Sequence, residues 1–154
     1  MATSASYQIR TALERDAAQI AHLSHELGYP VAESELQLRL KALLASARDL
    51  VLVAAGPEST LLGWIAVASH LALEISPRAE ITGLVVGAAA RRAGVGRALV
   101  GAAEAWAAQQ GFGLIAVRSN VLRSESHPFY QSLGYRQRKT QHYYEKTLPR
   151  ASGG

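Results

Sequence analysis

Residues 90–100, ARRAGVGRALV, combine a flexible backbone with positive charge at the start of an apparent helix. The first turn of a helix carries unpaired backbone N–H groups and the positive end of the helix dipole. Because glycine lets a ligand approach the backbone closely, this stretch predicts a loop that binds an anion such as a phosphate. The residues concerned are Gly94 and Gly96, with Arg91, Arg92 and Arg97 around them.

Two well-known phosphate motifs do not fit this stretch. A Walker loop requires a lysine and a hydroxyl residue after the second glycine, and neither follows Gly96. A dinucleotide-binding fingerprint requires a small residue three positions after Gly96, where this chain has Leu99. The remaining pattern, Arg-x-x-Gly-x-Gly, is also compatible with a plain turn between a strand and a helix.

Two further side chains could exchange protons with a ligand. Glu80 begins a strand whose second half is apolar, so its carboxylate is expected at the rim of a pocket. Tyr130 follows Phe129 and is rotated from it by about 100° around a short helix, so it need not belong to the buried face. The alternatives are a solvated strand-end glutamate and a half-buried packing tyrosine.

Hydrophobic periodicity predicts the order β α α β β β α β α β. The second and third strands are joined by five residues, which favours an antiparallel hairpin, and the fourth and fifth flank a helix, which favours a parallel crossover. A three-layer α/β/α domain with a mixed sheet follows. The strands are expected at 7–10, 50–55, 61–70, 79–87, 113–119 and 135–148. The helices are expected after Asp16, after Ser34, from Val95 to Gly111, and around Phe129.

Local patterns refine these elements. Asp16 with Gln19 and Ser34 with Gln37 have the spacing of capping boxes, which predicts where the first two helices begin. Simple alternation along the fourth strand predicts one shared face. The residues on that face would be Glu80, Thr82, Leu84 and Val86.

Composition narrows the class of protein. The chain has 154 residues, a formal charge of +4 and no cysteine, which excludes disulfides and thiolate chemistry. No apolar run approaches the roughly 18 residues of a membrane helix. Basic residues are scattered, so neither a nucleic-acid nor a membrane partner is predicted, and we expect a cytoplasmic protein. His22 and His25 are three apart on a helix, but no carboxylate cluster completes a metal site, and no metal is predicted. We expect one domain at 7–148, with flexible ends at 1–6 and 149–154.

Three blocks resemble the GNAT superfamily of N-acetyltransferases, in its aminoalkylphosphonate and aminoglycoside-type branches. They are YQIRTALERDAAQIAHL, AEITGLVVGAAARRAGVGRALV and SNVLRSESHPFYQSLGYRQRKTQHYYEKTL. The resemblance covers almost the whole chain from Tyr7 to Leu148 and implies the acyl-CoA N-acyltransferase fold. Ala93 stands where a longer polar residue is common, which removes one phosphate contact but none of the loop's amides.

The resemblance also implies acetyl-CoA as co-substrate and assigns roles to individual residues. Glu80 lies eleven residues before Arg91, as does the base in one branch of the superfamily, and Tyr130 corresponds to the acid that protonates the thiolate. The backbone of the fourth strand would bind the pantetheine arm, through Leu84, Val85 and Val86. The pyrophosphate loop would be Arg91, Arg92, Ala93, Gly94, Val95, Gly96 and Arg97, and Asn120 would contact the cofactor.

The implied reaction is acetyl transfer to a primary amine of a small molecule, by direct attack in a ternary complex. Glu80 could remove the amine proton directly or through water. Two alternatives remain open, an acetyltransferase acting on a protein or peptide amine, and a non-catalytic acyl-CoA-binding regulatory module. A homodimer is possible.

Overall fold

The structure, a computed structural model, describes residues 6–91, 93–118 and 126–150. Its single sheet has the strand order β1-β2-β3-β4-β5, antiparallel except for the last pair, which is parallel. The strands are β1 Gln8–Thr11, β2 Asp49–Ala55, β3 Leu61–His70, β4 Arg78–Val86 and β5 Ile115–Val117. The helices are α1 Ala17–Glu26, α2 Glu33–Leu44, α3 Val95–Gln109 and α4 Ser126–Ser132.

Contacts divide the chain into two compact units, Met1–Arg118 and Ser119–Gly154. The first contains the sheet with α1, α2 and α3, and the second contains α4. Within the described ranges, no helix is both long and apolar enough to cross a membrane.

The sheet of the first unit is covered by helices on both faces, which confirms the three-layer α/β/α class, the antiparallel hairpin and the parallel crossover. One face packs against α1 and α2 through a buried cluster that includes Ile20, Leu23, Leu40, Val53 and Val85. On the opposite face α3 lies against β2, β3 and β4. Its buried face comprises Val95, Leu99, Val100, Ala103 and Ala107, which matches the predicted helical spacing.

Strand β4 contains one extra residue relative to β3. Ala66 pairs with Gly83, whereas Val67 pairs with Ile81, so Thr82 forms a bulge. Opposed residues share a face of a sheet, and Ala66 and Ala68 are on the same face. Glu80, which opposes Ala68, therefore shares a face with Gly83.

This bulge makes the prediction of one shared face for Glu80, Thr82, Leu84 and Val86 wrong. Leu84 opposes Ile65 and Ile81 opposes Val67, so Leu84 shares its face with Ile81, not with Glu80. Simple alternation fails because an inserted residue reverses the side-chain direction of everything after it.

The residue after the bulge must be small. A Cβ atom on Gly83 would lie 2.7 Å from Cη2 of Trp64 and 2.8 Å from its Cζ3. The indole therefore packs directly on the Gly83 backbone, on the sheet face that α1 and α2 cover.

Neither predicted capping box forms, although α1 begins directly after Asp16, as predicted. The Asp16 carboxylate accepts hydrogen bonds from Arg10 Nη1 and Nη2, at 2.8 and 3.0 Å, and from Leu13 N–H at 2.8 Å. Gln19 instead joins α1 to the β2–β3 turn, because its Oε1 accepts from Leu61 N–H at 2.8 Å. Helix α2 starts at Glu33 after Ala32, so Ser34 lies inside it.

The final strand expected at 135–148 is also wrong, because the structure assigns no strand there. Every residue from 136 to 150 is exposed. Alternation indicates a strand only where a neighbouring strand completes the hydrogen bonds, and sequence alone does not supply that neighbour.

The packing of Trp64 predicts that Gly83→Ala destabilises the protein by about 1–3 kcal/mol, because the added methyl group overpacks the indole. Gly101→Ala is the matched control: a Cβ at this exposed α3 position meets nothing within 4 Å. Helix propensity should make that variant as stable as the parent, or more stable by up to about 1 kcal/mol. Urea denaturation measures both, and equal stabilities for the two variants would contradict the packing argument.

The Arg10–Asp16 pair predicts a pH-dependent contribution to stability. Burial raises the pKa of the Asp16 carboxyl, but hydrogen bonds from Arg10 and Leu13 outweigh it, so the pKa lies below its usual value. Asp16→Asn should cost about 2 kcal/mol near neutral pH. The stabilisation is complete above the unfolded-state pKa of about 3.9 and is lost as the pH falls through the lower folded-state pKa. Urea titrations at several pH values should show the deficit shrinking only in that acidic range, whereas a constant deficit would assign it to packing.

Candidate active site

The predicted anion loop forms the N-terminus of α3. Gly94 precedes the helix with φ +81°, a left-handed conformation that favours glycine. Its carbonyl accepts the hydrogen bond of Ala98 N–H at 3.0 Å, which starts the helix. The N–H groups of the first turn have no acceptor within the helix, so Val95, Gly96 and Arg97 present donors at the positive end of the dipole.

The residues before α3 shape the same turn. A short helical turn at Ala88–Ala90 precedes Arg91, and Ala93 N–H donates to Ala90 O at 3.2 Å. The side chains of Arg91 and Arg97 are exposed. Arg92 lies outside the described residues.

Tyr7, near the start of the chain, contacts this turn. Its hydroxyl donates to the Gly94 carbonyl at 3.4 Å. The contact joins residues 87 positions apart, so no local spacing in the sequence signals it.

The amides of β4 change direction at the Thr82 bulge. Before it, Ala79 N–H donates to Leu114 O at 3.1 Å, so the backbone N–H and C=O groups of odd-numbered residues point to the β5 side. After it, Gly87 N–H donates to Leu62 O at 2.8 Å, so the backbone N–H and C=O groups of odd-numbered residues point to β3. Because backbone direction alternates along a strand, the N–H and C=O groups of Leu84 and Val86 face the β5 side.

Strand β5 is too short to cover that side of β4. It pairs with β4 only from Ala79 to Ile81. In the part of the chain that the structure describes, Leu84 and Val86 therefore lie along an open edge that continues towards α3. Val85 points into the core and is 3% exposed, so these three residues contribute backbone groups and packing.

Glu80 lies between two basic side chains at the strand ends. Its Oε1 is 2.9 Å from Arg118 Nε, and its Oε2 is 3.8 Å from His70 Nδ1. The Glu80 side chain is 17% exposed, which agrees with a carboxylate at a rim. Sequence reasoning assigned no role to Arg118, which becomes a neighbour of Glu80 only through the β4–β5 register.

Tyr130 belongs to the second unit and is half-buried there. Its ring contacts those of Phe129 and Tyr135 edge-on, with centroids 5.1 and 5.7 Å apart. The backbone carbonyl of Tyr130 accepts from Tyr135 N–H at 3.0 Å, and Gly134 ends the helix with φ +91°. Asn120 lies outside the described residues.

A cleft of about 720 Å³ opens between α1 and the start of α2. The carboxylate of Glu26 lies near the end of β4, with Oε2 3.7 Å from where a Cβ on Gly87 would be. Glu80 is seven residues away from Gly87 along β4, about 20 Å by strand geometry. The cleft is lined by Ala18, Ala21, His22, His25, Glu26, Val31, Ala32 and Glu33.

No group of three or more potential metal ligands occurs within the described ranges.

Solved structures share this fold. One is the aminoglycoside antibiotic 6′-N-acetyltransferase AAC(6′)-Ih from Acinetobacter baumannii, at 22% identity and TM-score 0.82, covering 94% of this chain and all of that one. Another is the aminoglycoside N-acetyltransferase AAC(6′)-Iy in complex with CoA, at 18% identity and TM-score 0.83, covering 93% and 96%. A transcriptional regulator from Bacillus halodurans C-125 has 26% identity and TM-score 0.76, covering 93% and 99%.

No curated protein sequence matches the chain significantly. The sequence model of the Acetyltransferase (GNAT) family matches residues 15–135. That range contains β4 with its open edge, the Gly94 turn and α3. The chain therefore belongs to the Acetyltransferase (GNAT) family and is an acetyl-CoA-dependent N-acetyltransferase.

Proposed function

We propose that this protein acetylates a primary amine of a small molecule, by direct attack of the amine on acetyl-CoA in a ternary complex. The observation that carries the proposal is that, among the described residues of the first unit, no strand pairs with the outer side of β4 at Leu84 and Val86, between Glu80 and the turn that precedes α3. Such an edge can hold a donor along its backbone and bring an acceptor to its Glu80 end.

The chain's groups fit acetyl-CoA along this path. The first-turn N–H groups of α3 suit a diphosphate, and Arg91 and Arg97 add long-range attraction. Outward-facing N–H and C=O groups of Leu84 and Val86 suit the amides of a pantetheine arm, as in the addition of a strand to a sheet edge. Bound acetyl-CoA supplies an activated thioester. Arg92 and Asn120 complete the proposed cofactor site.

Glu80 is the proposed base for the acceptor amine. A primary ammonium resembling lysine has a pKa of about 10.4 and must lose a proton before it can attack. Leu84 lies four residues beyond Glu80 in β4, roughly 12 Å along the strand. A general base acts within hydrogen-bond reach or through water, so this separation favours relay through water, and direct removal is the alternative.

Tyr130 is the proposed acid. As the C–S bond breaks, its phenol would donate a proton to the departing thiolate, and a backbone N–H of Leu84 or Val86 would stabilise the charge on the acetyl oxygen. The ring contacts of Tyr130 with Phe129 and Tyr135 support this role, because they restrict the phenol to few orientations.

A small acceptor is supported by two of the similar structures reported above, which are aminoglycoside N-acetyltransferases. A protein or peptide amine is the alternative acceptor. A non-catalytic acyl-CoA-binding module is the alternative function, and it differs in predicting binding without turnover.

The function is tested by measuring thiol release from acetyl-CoA with amino acids, aminophosphonates, aminoglycosides, simple alkylamines and lysine peptides. We expect release that depends on one of the small amines. Release with peptides alone would change the acceptor class. Thermal stabilisation by acetyl-CoA without any turnover would favour the regulatory module.

With an accepted amine, Glu80→Gln and Tyr130→Phe are each expected to lower kcat about 100-fold, because each removes a proton-transfer group. Glu35→Gln and Tyr143→Phe are matched controls. Glu35 pairs with Arg39 on α2 at 3.5 Å, and Tyr143 is an exposed tyrosine of the second unit. Full turnover in both active-site variants would contradict the assigned roles while leaving the reaction class intact.

Gly94→Ala is expected to weaken acetyl-CoA binding roughly tenfold, about 1.4 kcal/mol, because relief of the strain at positive φ moves the first-turn N–H groups. Gly111→Ala is the control, since Gly111 has φ +87° beyond the other end of α3. Both variants should lose similar stability in urea. Calorimetry should show weaker binding only for Gly94→Ala, and equal affinities for the two variants would remove the turn from the cofactor site.

A further inference from the structure

Residues 136–150, the basic segment, carry the whole formal charge of the chain. Five of the sixteen Lys and Arg residues lie there, with one of the twelve Asp and Glu residues. The other eleven basic and eleven acidic residues balance each other, so the formal charge of +4 belongs to this segment. The basic residues are spread along the sequence, and only the balance of charge elsewhere isolates these five. They are Arg136, Arg138, Lys139, Lys146 and Arg150.

Every residue of the basic segment is exposed, including its aromatic and large apolar side chains. Tyr143 and Tyr144 are 81% and 87% exposed, and Leu148 is 73% exposed. Among the described residues, the segment's backbone N–H and C=O groups make no backbone hydrogen bond. Exposed rings beside uncompensated positive charge indicate a surface that a partner covers.

Contacts between side chains two residues apart indicate that the middle of the basic segment is extended. The Tyr143 hydroxyl donates to Glu145 Oε2 at 3.2 Å, and the ring centroids of His142 and Tyr144 are 6.3 Å apart. Residues i and i+2 share a side of an extended chain. One side therefore carries the rings of His142 and Tyr144 and continues to Lys146, while the other carries Tyr143 and Glu145.

This arrangement has the two components with which proteins hold single-stranded nucleic acids. Basic groups attract phosphates, and exposed aromatic rings stack on unpaired bases. Glu145, the only acidic residue of the segment, lies on the side opposite His142 and Tyr144, so its carboxylate does not face a strand bound to those rings. A membrane surface fits less well, because Tyr143 and Tyr144 point to opposite sides and form no continuous apolar face.

We propose that the basic segment binds single-stranded nucleic acid, with phosphates against its Arg and Lys side chains and unpaired bases stacked on His142 and Tyr144. The inference goes beyond the proposed acetyl transfer and does not depend on it, because no residue of the segment belongs to the proposed acetyl-CoA or acceptor site. Stacking tolerates any base, so the expected selectivity is for single strands over duplexes and not for a sequence.

The test is fluorescence anisotropy of a labelled strand of about 20 nucleotides, poly-U RNA or poly-dT DNA, titrated with the full-length protein. We expect a Kd of about 1–100 μM near physiological salt. The logarithm of the binding constant should fall with the logarithm of the salt concentration at a slope of about −3, since each phosphate contacted in a single strand contributes about −0.7. RNA and DNA strands should bind alike. A duplex of the same length should bind more weakly, although its denser phosphates would favour it if charge alone decided.

Two sets of substitutions separate charge from stacking. Arg136→Gln, Arg138→Gln and Lys139→Gln together should reduce the magnitude of the salt slope by about 2, because three phosphate contacts are lost. Tyr144→Ser should weaken binding of the single strand about tenfold and leave the slope unchanged, because it removes a stacking ring and no charge.

The first unit offers a matched control for each set. Arg39→Gln, Lys41→Gln and Arg48→Gln together remove the same charge from exposed positions. Tyr29→Ser removes a ring that is 48% exposed. Both controls should bind the single strand as the parent does, within about twofold, because screening confines charge effects to short range.

Three results would overturn the inference. The first is an absence of binding to either strand at low salt. The second is a duplex or heparin bound as tightly as the strand, or an unaltered affinity in Tyr144→Ser, which would make the segment a general polyanion surface. The third is tighter binding to vesicles that contain an anionic lipid than to the strand, which would assign the segment to a membrane. None of these results bears on thiol release, which tests the proposed function separately.

Discussion

The bulge at Thr82 decides which backbone groups of β4 face the proposed donor site. Without it, the amides of Gly83 and Val85 would continue the direction of Ala79 and face the β5 side. With it, Leu84 and Val86 take that direction, while Val85 remains in the core and is 3% exposed. The rest of the proposed site depends on this insertion. Only an extra residue allows β4 to stay paired with β3 while the N–H and C=O groups that point away from β3 change from odd-numbered to even-numbered residues.

A contact with no chemical role lies directly after the bulge. Trp64 occupies the space where a side chain on Gly83 would be, so the indole supports the strand at the point where its alternation is interrupted. Close packing in a core makes such a contact sensitive to a single methyl group. Residue 83, between the bulge and Leu84, must therefore be small on the face that α1 and α2 cover.

The sequence-based predictions were correct where residues close together in the sequence determine the structure. The glycine at 94 and the apolar spacing after it placed α3, and short connections identified the hairpin and the crossover. It failed where a long-range partner decided the outcome. Asp16 binds Arg10 instead of capping α1, the alternation at 135–148 does not become a strand, and Arg118 meets Glu80 only through the register of β4 and β5. The bulge itself leaves no signal in the sequence that alternation could detect.

This difference explains why the donor could be read from the sequence and the acceptor could not. Backbone amides at Leu84, Val86 and the start of α3 form the proposed donor site, and of these only the start of α3 is marked in the sequence, by the glycines at 94 and 96. The proposed acceptor end is built from side chains that separate strands contribute. Within it, Glu80 of β4 lies 2.9 Å from Arg118, which follows β5. The backbone groups proposed for the donor and the side chains proposed for the acceptor are therefore set by different features of the chain, so side chains at the acceptor end can change while the backbone groups keep their arrangement.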